Sequence, residues 1–196
     1  MMIKIGILGD IGSGKSFISK QFRFPVFNAD QEVSKIYKNN KECFFKLSKK
    51  LPKYLKSFPI KKEELTKAIV KDSKNLKKIV KVVHPIIRKK MIKFLKINKN
   101  KNAVVLDVPL LIENKLNDKK MILIFIDAKK KEINKKLKKR PNYNKQLIYN
   151  FRNIQKSLLV KKKISNYTIK NNFKLSSVRK DVNFIRNEIL NERNSS

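Results

Sequence analysis

Three features of the sequence predict an α/β fold with a parallel sheet flanked by helices. Short, nearly continuous apolar runs rich in Ile and Val have the composition of strands buried on both faces. Stretches with helical spacing separate these runs, and strand alternating with helix builds a parallel sheet. All four glycines of the chain lie between Gly6 and Gly14, where the first apolar run meets the first helical stretch. With 196 residues, 41% of them hydrophobic, the chain can form one globular domain around a proper core.

From the N-terminus, IKIGIL (Ile3 to Leu8) is the first strand and Lys15 to Phe22 the first helix. FPVFNAD (Phe24 to Asp30) is a weaker strand candidate. Helical spacing then holds over Gln31 to Lys50, Lys62 to Val83 and Pro85 to Ile97, with a break expected at Pro85 because proline suits the first turn of a helix. AVVLDVP (Ala103 to Pro109) and MILIFID (Met121 to Asp127) are buried strands, followed by a helix over Lys129 to Lys139 and another over Asn144 to Lys163. NYTIKN (Asn166 to Asn171) is a weak strand, and Leu175 to Asn191 closes the chain as a helix. The region from Asn39 to Val83 offers helices and no strand, which marks it as a candidate inserted cap.

The formal net charge of +35 attracts polyanions and, taken alone, would point to nucleic acid. The lysines are nevertheless spread through helices and loops among many asparagines and isoleucines, a pattern expected of A-rich coding sequence at weakly constrained surface positions. The phenylalanines fall in strands and at helical spacing rather than among basic residues on one face, so no specific nucleic-acid partner is expected. No apolar run approaches the roughly 18 residues that span a membrane, and no signal-peptide core forms before Asp10. The single cysteine, Cys43, cannot form an internal disulfide and reads as a buried thiol in a reducing compartment. A cytoplasmic protein without a membrane partner is expected, and a monomer.

GDIGSGKS (Gly9 to Ser16) fits the phosphate-loop pattern G-x-x-x-x-G-K-[ST] and stands where that motif must stand, after a strand and at the start of a helix. Backbone N–H groups can converge on phosphate oxygens only where the chain adopts positive φ and approaches closely, which glycine does without strain. Gly9, Gly12, Ser13, Gly14, Lys15, Ser16 and the following Phe17 are the candidate nucleotide contacts, for ATP with Mg²⁺. Lys15 would reach the β- and γ-phosphates and the Ser16 hydroxyl would ligate Mg²⁺. Asp10 is unusual, because a carboxylate inside such a loop repels phosphate unless it faces solvent.

Further motifs follow in order: FNAD (Phe27 to Asp30), HP (His84, Pro85), DVPLLIE (Asp107 to Glu113), FIDA (Phe125 to Ala128), and a basic stretch ending at Arg140, well ahead of Gln155. Together with the phosphate loop they resemble the dephospho-coenzyme A kinase family over about Ile3 to Asn171. The resemblance implies a P-loop kinase-type sheet with a helical substrate-binding insertion and a lid, and transfer of a phosphoryl group from ATP to the ribose 3′-hydroxyl of dephospho-CoA. It divides the single domain, 1–196, into core (about 1–38, 98–138 and 164–196), CoA-accepting insertion (about 39–97) and lid (about 139–163). Another small-molecule or nucleoside-monophosphate kinase shares the loop and lid but would need an arginine-rich acceptor site, and only Arg23 and Arg88 precede Arg140.

By the same resemblance, Asp30 matches the last residue of the family's D-A-D motif and would accept the proton of the acceptor hydroxyl. It could also cap a helix beginning at Gln31. Arg140 matches the lid arginine, where a planar guanidinium would hold the transferring phosphoryl group. Asn28 stands where the family has its first Asp. Asp107 and Glu113 flank the strand end at VPLLI, with Asp107 a weaker candidate near the magnesium waters. Asp127 reads as structural or a cap, and His84 as a packing or capping residue. Asn134 to Lys136 depart from the family's Q-x-x-R, and Phe173 stands where a glycine is expected after Asn171.

Overall fold

The computed structural model describes residues 2–194; Met1 and residues 195–196, which the expected core segments include, lie outside the described residues. The chain forms two compact units. One comprises residues up to Asn28, Leu95–Tyr143 and the chain from Lys156 onward; the other comprises Ala29–Phe94 and Asn144–Gln155.

The first unit is built on a five-stranded sheet of β1 (Ile3–Gly9), β2 (Val26–Asn28), β3 (Ala103–Asp107), β4 (Ile122–Asp127) and β5 (Tyr167–Lys170), in the order β2-β3-β1-β4-β5. Every pairing is parallel, as the apolar runs predict. Helices α1 (Lys15–Gln21), α6 (Lys130–Lys138), α8 (Leu158–Lys163) and α9 (Leu175–Asn194) belong to the same unit. Its core joins Ile5, Ile7, Val105, Ile124 and Ile126 of the central strands to Ile18 and Phe22 of α1 and to Val178, Val182, Ile185 and Ile189 of α9. The spacing of those four α9 residues is that of one helical face, so a single stripe covers the sheet.

The second unit is helical: α2 (Ala29–Asn39), α3 (Lys41–Lys50), α4 (Lys62–Lys71), most of α5 (Lys74–Ile97) and α7 (Lys145–Asn153). Three helical boundaries differ from expectation. The stretch from Gln31 to Lys50 divides at Asn40, whose side chain accepts the Cys43 N–H at 2.7 Å and caps α3. The break expected at Pro85 occurs instead at Asp72–Ser73, and α5 continues through Pro85. Proline removes one backbone donor, yet Val82, Val83, Ile87 and Met91 are buried on both sides of it, and their packing outweighs that loss. At the true break Asp72 takes an extended backbone and its carboxylate accepts the Lys74 N–H at 2.9 Å. The helix expected from Asn144 to Lys163 ends at Asn153 and restarts under a Ser157 cap.

Candidate active site

The chain leaves β1 at Gly9 and enters α1 at Lys15, so the glycine loop hangs from the C-terminal end of the central strand, where ligands bind in parallel sheets. Gly9 has φ 147° and Gly14 φ 93°. A Cβ on Gly9 would stand 2.9 Å from the Ile126 carbonyl oxygen, and one on Gly14 would collide with the Asn171 amide, so glycine is required at both for conformation and for space. Gly14 caps α1 with no side-chain hydrogen bond, and the first turn carries no acid, leaving backbone N–H groups and the positive helix end for an anion.

Lys15 folds back over the loop, donating to the Asp10 carbonyl at 2.7 Å and the Gly9 carbonyl at 3.3 Å. Its ammonium therefore already lies on the loop where an anionic ligand would meet it, and the donor set fits a nucleotide phosphate chain. Asp10 does not face solvent: it is 9% exposed, and its carboxylate accepts the Ile11 N–H at 2.7 Å. The negative charge is tied into the loop's own backbone. Ser13 is fully buried and its hydroxyl has no hydrogen-bond partner, while its carbonyl accepts the Asn171 amide at 2.7 Å. Ser16 and Phe17 are exposed on the first turn of α1. Among the described residues no three His, Cys, Asp or Glu side chains are grouped to hold a metal ion. The exposed Ser16 hydroxyl is an oxygen of the type that a hard cation accepts as a ligand.

At the neighbouring strand ends, Asn28 of β2 and Asp107 of β3 are register partners. The Asn28 amide donates to the Asp107 carboxylate at 2.7 Å, and Asp107 is only 3% exposed. Asp127, at the end of β4, pairs with Lys162 at 2.9 Å, and its carbonyl accepts the Asn171 N–H at 2.7 Å, a structural role as expected. Glu113 accepts the Lys156 N–H at 2.9 Å and pairs with the buried Lys161 at 3.0 Å, which pins the 156–161 segment to the turn after β3. Arg140 is exposed just beyond α6, its backbone N–H bonded to the Leu137 carbonyl.

In the helical unit, Asp30 is the second residue of α2, not the cap of a helix starting at Gln31; its carboxylate lies in an exposed first turn. Glu32, two residues on, bonds Lys35 at 2.7 Å and Lys90 of α5 at 2.9 Å. Asn150 of α7 is buried and donates to the Ile69 carbonyl of α4 at 3.0 Å, fixing that part of the expected lid within the helical unit. His84 sits half-buried inside α5.

The profile of the dephospho-CoA kinase family matches residues 3–177. This chain belongs to the dephospho-CoA kinase family. The dephospho-CoA kinase of Wolbachia sp. subsp. Brugia malayi is 32% identical over 170 residues, 84% of this chain and 87% of that protein. That of Bartonella henselae is 32% identical over 116 residues, 57% of this chain and 59% of that protein. A crystal structure from Thermus thermophilus superposes with a TM-score of 0.76 at 23% identity, covering 95% of this chain and 97% of the other, a likeness of fold. As a dephospho-CoA kinase family member the chain is an ATP-dependent kinase acting on an alcohol hydroxyl, and no helix among its described residues is long and apolar enough to cross a membrane.

Sequence reasoning did not find three connections in this family member: Asn28 to Asp107, Asn171 to Ser13, and Glu113 to Lys161. The first two join residues 79 and 158 positions apart, and no local pattern signals them. A signal existed only beside Asn171, where Phe173 replaces an expected glycine: the residue has φ 63°, the left-handed region glycine prefers.

Proposed function

We propose that this protein phosphorylates the ribose 3′-hydroxyl of dephospho-CoA with ATP, giving CoA and ADP. The family match from residue 3 to 177 carries this reading, because it spans the phosphate loop, Asp30, Asp107 and the arginine after α6.

When bound, Mg²⁺ with ATP neutralises charge on the phosphates, and the Ser16 hydroxyl is the protein group we assign to hold it. The loop N–H groups and Lys15 orient the phosphate chain. Transfer of a phosphoryl group demands alignment and charge neutralisation more than covalent chemistry, so these positioning contacts supply most of what the chain contributes. Asp30 accepts a hydrogen bond from the acceptor hydroxyl and takes its proton as the new bond forms. Arg140 supplies a planar pair of donors to the moving phosphoryl group. The helical unit takes the CoA moiety, and closure of the segment after α6 excludes water as a competing acceptor. The protein works as a monomer, in the cytoplasm, consistent with its lone cysteine.

A coupled assay of ADP release tests the reading. Turnover with ATP and dephospho-CoA, absent with nucleoside monophosphates or shikimate, is the expected outcome. Faster turnover with either of those acceptors would replace this reading by another small-molecule kinase.

A further inference from the structure

Helix α6 rests on the phosphate loop through two apolar side chains one turn apart. Ile133 and Leu137 are each 2% exposed, on a helix whose other positions are all charged or polar. A Cβ on Gly12 would stand 2.8 Å from Leu137 Cγ and 3.2 Å from Ile133 Cγ2, so both side chains lie directly on the backbone of the loop. Close-packed apolar groups have few alternative arrangements, and such a seat is stiff.

The residue seated there also holds the chain that follows. The Leu137 carbonyl accepts the Lys139 N–H at the end of α6 and the Arg140 N–H at 3.0 Å. The Arg140 carbonyl in turn accepts the Tyr143 N–H at 3.1 Å. From Lys138 to Tyr143 every residue is exposed, and Leu137 is the buried residue from which this stretch departs. A guanidinium that stabilises a moving phosphoryl group must keep its place closely, because misplacement by about 1 Å can cost roughly 10²-fold in rate.

We propose that Leu137 is a positioning residue for the transfer. Its side chain is seated on Gly12 and its carbonyl is bonded to Arg140, so it ties the placement of the guanidinium to the loop that holds the donor phosphates. It acts through Arg140 alone. This role rests on the contact of Arg140 with the moving phosphoryl group proposed above, and the two can fail separately.

Steady-state kinetics of the full chain with ATP and dephospho-CoA, well below the melting temperature, test it with Leu137→Ala, Leu137→Met, Arg140→Ala and the double variant. Leu137→Ala is expected to lose roughly tenfold or more in kcat, with KM for ATP within about threefold of wild type. Leu137→Met keeps the buried volume and should keep most of kcat. In an Arg140→Ala background, Leu137→Ala should cost less than about threefold more, because the group it positions is already gone. Should Leu137→Ala fail to fold, Leu137→Val takes its place in the same cycle. A raised KM for ATP at unchanged kcat overturns the proposal and makes Leu137 a prop for the loop. Additive losses in the double variant overturn it as well, since the two residues would then act independently. Full turnover in Arg140→Ala overturns the Arg140 contact and this role with it, whereas a loss there with none in Leu137→Ala overturns this role alone.

Discussion

The Asn28 amide donates to the Asp107 carboxylate at 2.7 Å, across the adjoining C-terminal ends of two parallel strands. A neutral donor thus faces a buried acid at the position where the family resemblance expects a second carboxylate. Restoring that acid, Asn28→Asp, sets two carboxylates against each other, and such a pair keeps one proton to a higher pH than either acid alone. A pKa raised in the folded state contributes stability below the unfolded value, and that stability is lost as pH rises through the folded value. The variant should match wild type near pH 4 and melt several degrees lower at pH 8, for a loss of about 1–2 kcal/mol. A melting gap that stays flat from pH 4 to 8 would show that the two side chains do not face each other.

The Lys15 ammonium donates to the loop carbonyls of Gly9 and Asp10 and is not part of the strand core, so removing it takes the cation from the loop and leaves that core packed. Lys15→Ala should lose turnover by roughly 10²-fold or more. Its melting temperature should stay within a few degrees of wild type. Near-native turnover would sink the assignment of the loop.

Asp30 and Arg140 are both exposed, so their replacement should cost little stability. Asp30→Asn should cut turnover by roughly 10²-fold with ATP affinity unchanged, because the role proposed for it is on the acceptor hydroxyl. Arg140→Lys should also lose turnover, since an ammonium keeps the charge and loses the fork. Asp30→Asn assayed at saturating ATP with turnover within about threefold of wild type would reduce Asp30 to a first-turn acid at a helix start.

Glu32 joins α2 to α5 through Lys90 and also bonds Lys35. The Lys35 hydrogen bond, opposed by burial and reinforced by Lys90, holds its carboxyl below the ordinary value of 4.5. A depressed pKa contributes stability above the unfolded value, and that contribution fades as pH falls through the folded one. Glu32→Gln should therefore melt below wild type at pH 7, by an amount matching about 1 kcal/mol or less for so exposed a pair of lysines. The gap should narrow as pH falls below 4.5. A gap as wide at pH 3 as at pH 7 would mean that the charge on Glu32 contributes nothing.

The sheet, the loop and the helix that follows it were legible in the sequence because each rests on residues that are neighbours along the chain. Ile and Val in short apolar runs specify buried strands wherever the rest of the chain goes, and Gly9 to Ser16 is a local instruction for backbone conformation. Helix ends were less legible. Pro85 is a local break signal that α5 overrides by burying Val82, Val83, Ile87 and Met91, whereas Asn40 and Ser157 start α3 and α8 as N-caps although both residue types also occur on the exposed face of a helix. Strand order and the partners of the buried polar groups were decided by the tertiary structure alone. Asn150 finds the Ile69 carbonyl 81 residues away and Asn171 finds Ser13 158 residues away, since a buried amide must be satisfied by whatever the fold brings within reach. The left-handed turn at Phe173 has the same origin: its conformation is set by an amide anchored on a loop from the other end of the chain, a constraint that no window of neighbouring residues contains.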